Sequence, residues 1–169
     1  MTIAAFDVHY REDGRASAAA VVFAAYGDDS PGAEYHRMLA TPAAYVPGAF
    51  YRRELPGILA LMERIDRPLA TLIVDGYVSM GPRPGLGQHL FEALEARIPV
   101  IGVAKSRFAG VPAHEVYRGA SRRPLYVTAV GMTVAAAAAN IQAMHGTHRV
   151  PTLLQRVDRL ARDMARYVR

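Results

Sequence analysis

The chain has 169 residues, 51% hydrophobic and 21% charged, and we therefore expect residues 1–169 to form a single globular domain. It has no cysteine, which excludes disulfides, thiolate metal sites and a cysteine nucleophile and suits a cytoplasmic protein. The net charge of +5 favours polyanionic partners such as nucleic acids, although many small basic proteins bind none. We expect neither a signal peptide nor a membrane span, because no apolar run is long enough.

The first third of the chain predicts three antiparallel strands followed by a helix. The strands are expected at 2–10, 15–26 and 33–40, and a loop with two prolines follows them. From Phe50 to about Ile65 the spacing of apolar residues becomes helical. The predicted apolar stripe of this helix consists of Leu55, Ile58, Leu59 and Met62.

The rest of the chain alternates strands and helices. Residues 69–75 form a continuous apolar run that ends in aspartate, which is typical of a buried central strand. A loop rich in glycine and proline follows. The further elements are predicted as a helix at 88–97, a strand at 99–104, a hairpin at 114–118 and 124–130, and helices at 133–144 and 152–168. This order predicts an α/β fold with a mixed sheet and flanking helices.

Four acidic residues lie at the starts and ends of these elements. Asp7 and Asp75 interrupt apolar runs, where a carboxylate is costly unless a positive charge compensates it. Glu54 and Asp158 lie in predicted helices. Several carboxylates that share one site favour a hard divalent cation such as Mg²⁺ or Mn²⁺. The pattern therefore indicates a metal-dependent phosphoryl-transfer enzyme.

Each of these residues also has an ordinary structural explanation. A single aspartate at a strand end is more often a turn or helix cap than a metal ligand, and this holds for Asp75 before Gly76. Glu54 alone could be a solvated helix residue, and Lys105 alone could be a surface lysine or an ion-pair partner. Tyr45 could simply cover the edge of the core. The histidines lack zinc-like spacing, and the sequence contains no phosphate-binding GKS or GKT loop.

Five segments carry a resemblance to a known family. In chain order they are YVPGAFYRREL, LIVDG, PRPGLG, IGVAKS and RPLYV. Together they resemble the endonuclease V family from about residue 3 to residue 160. The resemblance implies a ribonuclease H-like fold and an enzyme of DNA repair that nicks nucleic acid near deaminated bases, chiefly inosine, with Mg²⁺ or Mn²⁺.

The resemblance also assigns the catalytic residues. Asp7, Glu54 and Asp75 match the positions of the metal-binding core, and Asp158 matches a position that completes the acidic cluster. Lys105, in GVAKS, matches a lysine that contacts phosphate or the attacking water.

Two further segments resemble the substrate-binding parts of the family. The glycines Gly85 and Gly87 resemble the lesion pocket, where backbone amides reach the edge of an extruded base because no side chain intervenes. The segment that resembles the wedge beside the damaged base consists of Tyr45, Val46, Pro47 and Gly48.

The chain departs from the family pattern mainly at the lesion-binding residues. Tyr77-Val78 stands where the family has His-Gly, Gly81 precedes Pro82-Arg83 in place of histidine, and Ala44 precedes the wedge in place of proline. The family also has a helical segment before its first strand, whereas only six residues precede Asp7 here. The metal-binding positions match better than the lesion pocket.

We therefore predict a metal-dependent endonuclease that cuts DNA or RNA 3′ to inosine or another deaminated or distorted base. The alternative is a non-catalytic nucleic-acid-binding relative that kept the fold but lost lesion-specific cleavage. A third possibility is a metal-dependent hydrolase of another phosphate ester. A metal titration separates the first two, and a substrate panel would reveal the third.

Overall fold

The computed structural model describes residues 1–11, 14–39 and 51–167, the last four of them by their backbone alone. The chain begins with β1 (Ile3–Tyr10), β2 (Ala16–Phe23) and β3 (Ala33–Leu39), and α1 follows at Tyr51–Met62. Strand β2 ends three residues earlier than predicted. There the Asp28 carboxylate accepts hydrogen bonds from the amides of Ala24 and Ala25, at 2.9 Å each, and holds a turn.

The second half follows the predicted order with one addition. The glycine- and proline-rich loop contains a short hairpin of two strands with two residues each, β5 (Ser79–Met80) and β6 (Arg83–Pro84). The next helix starts at Leu86. The other elements are β4 (Thr71–Asp75), α2 (Leu86–Ala93), β7 (Val100–Ala104), β8 (His114–Val116), β9 (Leu125–Val130), α3 (Val134–Ala143) and α4 (Thr152–Tyr167).

Seven strands form one sheet in the order β3-β2-β1-β4-β7-β9-β8. The central neighbours β1, β4 and β7 are parallel, and the remaining pairs are antiparallel. The predicted α/β fold with a mixed sheet and flanking helices is therefore confirmed. Among the described helices, none combines the length and apolar character that crossing a membrane requires.

The sheet is buried on both faces because alternate side chains of each strand point to opposite sides. Ile3, Ala5 and Ile73 pack toward α3 and α4. Ala4 and Leu72 pack toward α1 and α2. Each face thus has its own apolar core.

Helix α1 is rotated relative to the prediction. Its fully buried positions are Glu54, Gly57, Ile58 and Leu61, whereas the stripe expected from the sequence included Leu55, Leu59 and Met62, which are only partly buried. The hydrophobic pattern missed this rotation because the buried face contains a glutamate and a glycine. The rotation matters because it carries Glu54 inward.

Candidate active site

The strand register brings three predicted site residues to one edge of the sheet. Phe6 pairs with Val74, so Asp7 and Asp75 follow at the same level on the adjacent parallel strands β1 and β4. Asp75 pairs with Val103 of β7, and Lys105 comes two residues later. Residues two apart point to the same face, and adjacent strands lie about 4.8 Å apart. The three charged groups therefore meet on the face covered by α4.

Asp158 completes this group from the helix side. Its neighbours Val157 and Ala161 are buried against the sheet, which fixes the rotation of α4. A cavity of about 40 Å³ lies beneath the helix, and its polar lining consists of Asp7, Asp75, Lys105 and Asp158. The space suits ions or water molecules rather than an organic ligand.

Glu54 approaches the same edge from the opposite face of the sheet. Its side chain is 8% exposed, and with Asp7 and Asp75 it lines a second cavity of about 360 Å³. This cavity is bounded by Tyr51, Tyr77, Met80 and residues 84–86. Its volume lies within the range of small-ligand pockets, roughly 300–1,000 Å³. Asp7 and Asp75 separate the two cavities and belong to both.

Burial and mutual repulsion raise the pKa of three carboxyl groups at the site, those of Asp7, Glu54 and Asp75. Burial, followed by the charges of Asp75 and Asp158, raises the pKa of Asp7 to about 7, against a hydrogen bond from the Val8 amide and the charge of Lys105. Burial and the charges of Asp7 and Asp75 raise the pKa of Glu54 to about 8. The pKa of Asp75 is raised by burial and by Asp158, while Lys105 lowers it. The site thus holds an excess of negative charge that a cation would relieve.

The donor chemistry fits a hard divalent cation, but the ligands are not fully assembled. Within the described part of the chain, no three His, Cys, Asp or Glu side chains form a ready-made metal cluster. The Asp158 carboxylate accepts a 2.5 Å hydrogen bond from Arg162 on the next turn of α4. A cation bound there would compete with Arg162 for Oδ2 of Asp158.

The backbone after Asp75 is fixed by a close approach between the 76–78 turn and the neighbouring strands β7 and β9. Gly76 has a φ of +101°, which turns the chain sharply after the strand. The Val78 amide then donates to the hydroxyl of Thr128 at 3.0 Å. At Gly102 a Cβ atom would lie 2.5 Å from the Gly76 carbonyl oxygen, so only glycine lets the turn pass there.

Lys105 is held in place through its backbone. The guanidinium of Arg149, in the segment before α4, donates to the carbonyl oxygens of Lys105 and Pro124. Sequence reasoning overlooked Arg149 because its partners are distant in the chain.

The two predicted lesion-pocket glycines pack against Val78. A Cβ at Gly85 would lie 2.6 Å from the Tyr77 carbonyl oxygen, and one at Gly87 would lie 2.6 Å from Val78 Cγ1. Gly85 also lines the larger cavity, but its amide donates to the Val78 carbonyl at 3.0 Å. Close packing accounts for both glycines, and contact between them and a base stays a prediction.

The predicted wedge lies outside the described residues. It comprises Tyr45, Val46, Pro47 and Gly48, and its role stays a prediction. The described residue nearest to it on the C-terminal side, Tyr51, begins α1 and stacks on His89 with ring centroids 3.5 Å apart. Tyr51 also lines the larger cavity.

Comparison with known proteins identifies one family. The family model described as Endonuclease V matches residues 1–147. Endonuclease V of Xylella fastidiosa (strain Temecula1 / ATCC 700964) is 36% identical over 109 residues, covering 64% of this chain and 45% of the relative. The chain thus matches less than half the length of that curated relative.

Solved structures agree on the fold. Endonuclease V from Streptomyces avermitilis has a TM-score of 0.76 and 27% identity, covering 98% of this chain and 82% of the other. A second structure is that of Ciona intestinalis endonuclease V in complex with a 24mer DNA containing an inosine followed by a ribo-adenosine. It has a TM-score of 0.83 and 16% identity, and the match covers 99% of this chain and 87% of the other. The second likeness concerns the fold alone. These neighbours confirm the ribonuclease H-like fold class.

Proposed function

Because the chain belongs to the endonuclease V family, we propose that it is a metal-dependent endonuclease. It would hydrolyse a phosphodiester bond 3′ to inosine or another deaminated or distorted base in DNA or RNA. The observation that carries this proposal is the convergence of Asp7, Asp75 and Lys105 at one sheet edge, with Glu54 and Asp158 beside them. The inosine-containing DNA bound by the Ciona relative supports the choice of substrate.

The residues that would hold Mg²⁺ or Mn²⁺ are Asp7, Glu54, Asp75 and Asp158. When bound, such cations lower the pKa of a coordinated water and stabilise the leaving oxygen of an in-line displacement. Burial and neighbouring charges raise the pKa of Asp7 to about 7 and that of Glu54 to about 8, so both carboxyl groups can take up protons near neutral pH. Metal binding would therefore release protons.

The remaining groups would bind and orient the substrate. Lys105 lines the cavity beneath α4 and would balance the charge of the scissile phosphate as the transition state forms. The larger cavity adjoins Asp7, Glu54 and Asp75 and would take the extruded base. Tyr45, Val46, Pro47 and Gly48 would fill the gap in the strand, and Gly85 would border the base.

The test is cleavage of end-labelled single- and double-stranded oligonucleotides, with and without one inosine, in Mg²⁺ and in Mn²⁺. We expect a nick 3′ to inosine that Asp75→Ala abolishes while weak binding persists, because phosphate contacts come mainly from basic groups. Metal-dependent cutting that ignores inosine would discard the lesion specificity. Unchanged cutting by Asp75→Ala would discard the metal assignment.

One observation favours the alternative of a non-catalytic nucleic-acid-binding relative. Asp158 already pairs with Arg162, and the described residues contain no ready-made metal cluster. Calorimetric titration with Mg²⁺ and Mn²⁺ decides between the two functions, because a non-catalytic relative should bind neither metal appreciably. Metal binding with no cutting of any oligonucleotide would leave hydrolysis of a different phosphate ester.

A further inference from the structure

An exposed aromatic residue lies on the loop that directly follows the site lysine. Phe108 is 48% exposed, and the whole stretch from Lys105 to Gly110 faces solvent. Its ring packs beside that of Tyr77, with centroids 6.2 Å apart and planes inclined by 60°. We call Tyr77 and Phe108 the aromatic pair. A single exposed phenylalanine is ordinary, so its surroundings decide whether it has a role.

The aromatic pair is held rigidly. The Tyr77 hydroxyl accepts a hydrogen bond from the Phe108 amide at 3.0 Å and donates to the Ser106 carbonyl at 3.4 Å. On either side of Tyr77, the Gly76 amide donates to Val103 and the Val78 amide donates to Thr128, both at 3.0 Å. A loop tip with no function would gain little from such fixation, whereas a binding surface gains affinity by avoiding the entropy cost of ordering.

The pair also lies next to the candidate catalytic groups and to positive charge. Tyr77 lines the larger cavity together with Asp7, Glu54 and Asp75. Lys105 and Arg107 precede Phe108 on the same exposed loop. An aromatic face flanked by basic side chains matches the alternation of bases and phosphates along a nucleic-acid strand.

We propose that Phe108, supported by Tyr77, is a stacking platform for an unpaired base of the strand held at the carboxylate site. The inference rests on the proposed function for the position of the strand. It adds a contact outside the larger cavity, because Phe108 does not line that cavity. Stacking is sequence-tolerant, since every base has a π face. Arg107 would contact the neighbouring phosphate.

The experiment measures binding apart from cleavage. In an Asp75→Ala background, fluorescence anisotropy gives the affinity for a single-stranded oligonucleotide of mixed sequence. In a second series, 2-aminopurine is placed at each position in turn, and its fluorescence is quenched where it stacks. Because the stacking tolerates any base, we expect quenching on binding at more than one position and, with Phe108→Ala, its loss together with binding weaker by about 5- to 100-fold.

Three further variants keep the result interpretable. Phe108→Trp should restore quenching and affinity, whereas Phe108→Leu should resemble Phe108→Ala although it stays apolar. Tyr77→Phe keeps the ring but removes both hydrogen bonds of the hydroxyl, and it should weaken binding less than Phe108→Ala does. Far-UV circular dichroism and thermal melting confirm that each variant is folded.

Two results would overturn the platform. The first is that Phe108→Ala binds the oligonucleotide within twofold of the Asp75→Ala parent and quenches 2-aminopurine equally. The second is that Phe108→Leu binds as tightly as that parent. Failure of the proposed function would give a different result. Wild type would then cut no oligonucleotide, whereas binding and 2-aminopurine quenching would still depend on Phe108.

Discussion

Nη2 of Arg162 lies 2.5 Å from Oδ2 of Asp158, one turn earlier on α4. This pair gives the helix-side carboxylate a cation from its own chain. Both side chains are partly exposed, and pairs of this kind, four residues apart on a helix, contribute only about 0.3–0.5 kcal/mol. A divalent ion can therefore displace Arg162 at small cost, although the guanidinium still competes for Asp158.

Removing Arg162 should strengthen metal binding. We expect Arg162→Ala to bind Mn²⁺ about 3- to 10-fold more tightly, because it frees Asp158 and removes a repelling positive charge. Isothermal titration calorimetry measures the affinity directly. Arg159→Ala, exposed on the same helix, is the matched control and should change affinity less than twofold. Equal or weaker binding by Arg162→Ala would show that the pair does not oppose the metal.

The metal-free protein should lose stability as pH rises. Glu54 has a pKa of about 8 in the folded state against an ordinary value of 4.5, so between these values the folded state binds more protons than the unfolded state. Below pH 4.5 Glu54 is protonated in both states and adds no pH dependence. Above pH 8 it is ionised in both states, and the loss of folding stability that comes from burying its charge is complete. Its upper limit is about 5 kcal/mol.

Glu54→Gln should remove the part of this pH dependence that Glu54 contributes, whereas the part due to the raised pKa of Asp7 should remain. We expect it to be about 1–4 kcal/mol more stable than wild type at pH 8, with no gain near pH 4. Urea unfolding in EDTA gives the free energies, and Glu63→Gln, exposed just after the same helix, serves as the control. If the difference in unfolding free energy between wild type and Glu54→Gln stays constant with pH, the charge of Glu54 is not buried at a cost to stability.

Replacing a glycine that packs against Val78 by a larger residue should destabilise the protein. An added Cβ at Gly87 would meet the Val78 side chain and Cα, at 2.6 and 2.9 Å. We expect Gly87→Ala to cost about 1–3 kcal/mol of unfolding free energy, as overpacking usually does. Chemical denaturation measures the cost. Gly27→Ala is the control, because nothing lies within 4 Å of a Cβ built there. Equal stability of the two variants would show that the loop relaxes freely.

Arg118 should be essential for the connection between α3 and α4. Its guanidinium is buried and donates to carbonyl oxygens of Ile141, Gln142 and Met144 at 2.8 Å each and of Gly146 at 3.0 Å. We expect Arg118→Met to cost about 2–4 kcal/mol, because it leaves buried carbonyls unpaired.

Arg118→Lys should recover little of that loss, since an ammonium lacks the planar fork that reaches several acceptors. Thermal melting and urea unfolding measure both variants, with exposed Arg122→Met as the control. A loss below 1 kcal/mol would mean that water replaces the guanidinium.

The sheet edge was predictable because it depends on local patterns. The apolar runs that end at Asp75 and just before Lys105 read as buried strands, and parallel neighbours place their carboxyl ends together. Asp7 falls at the same level through the register with β4. Family resemblance then assigned roles that spacing alone left open.

The supporting contacts were not predictable for a physical reason. The Tyr77 hydroxyl reaches residues about thirty positions away, and Arg118 reaches residues 23 to 28 positions away. No periodicity encodes such pairs. The Asp158 and Arg162 spacing was visible in the sequence, but whether the pair forms depends on which face of α4 meets the sheet.

The two-faced burial of the central strands limits how this chain can change in length. A one-residue insertion or deletion within β1, β4 or β7 would invert the facing of every later side chain in that strand. Asp7, Asp75 or Lys105 would then point toward α1 and α2, and an apolar neighbour would take its place under α4. Length variation among relatives should therefore be confined to segments such as 77–84, where no strand is shared with the main sheet.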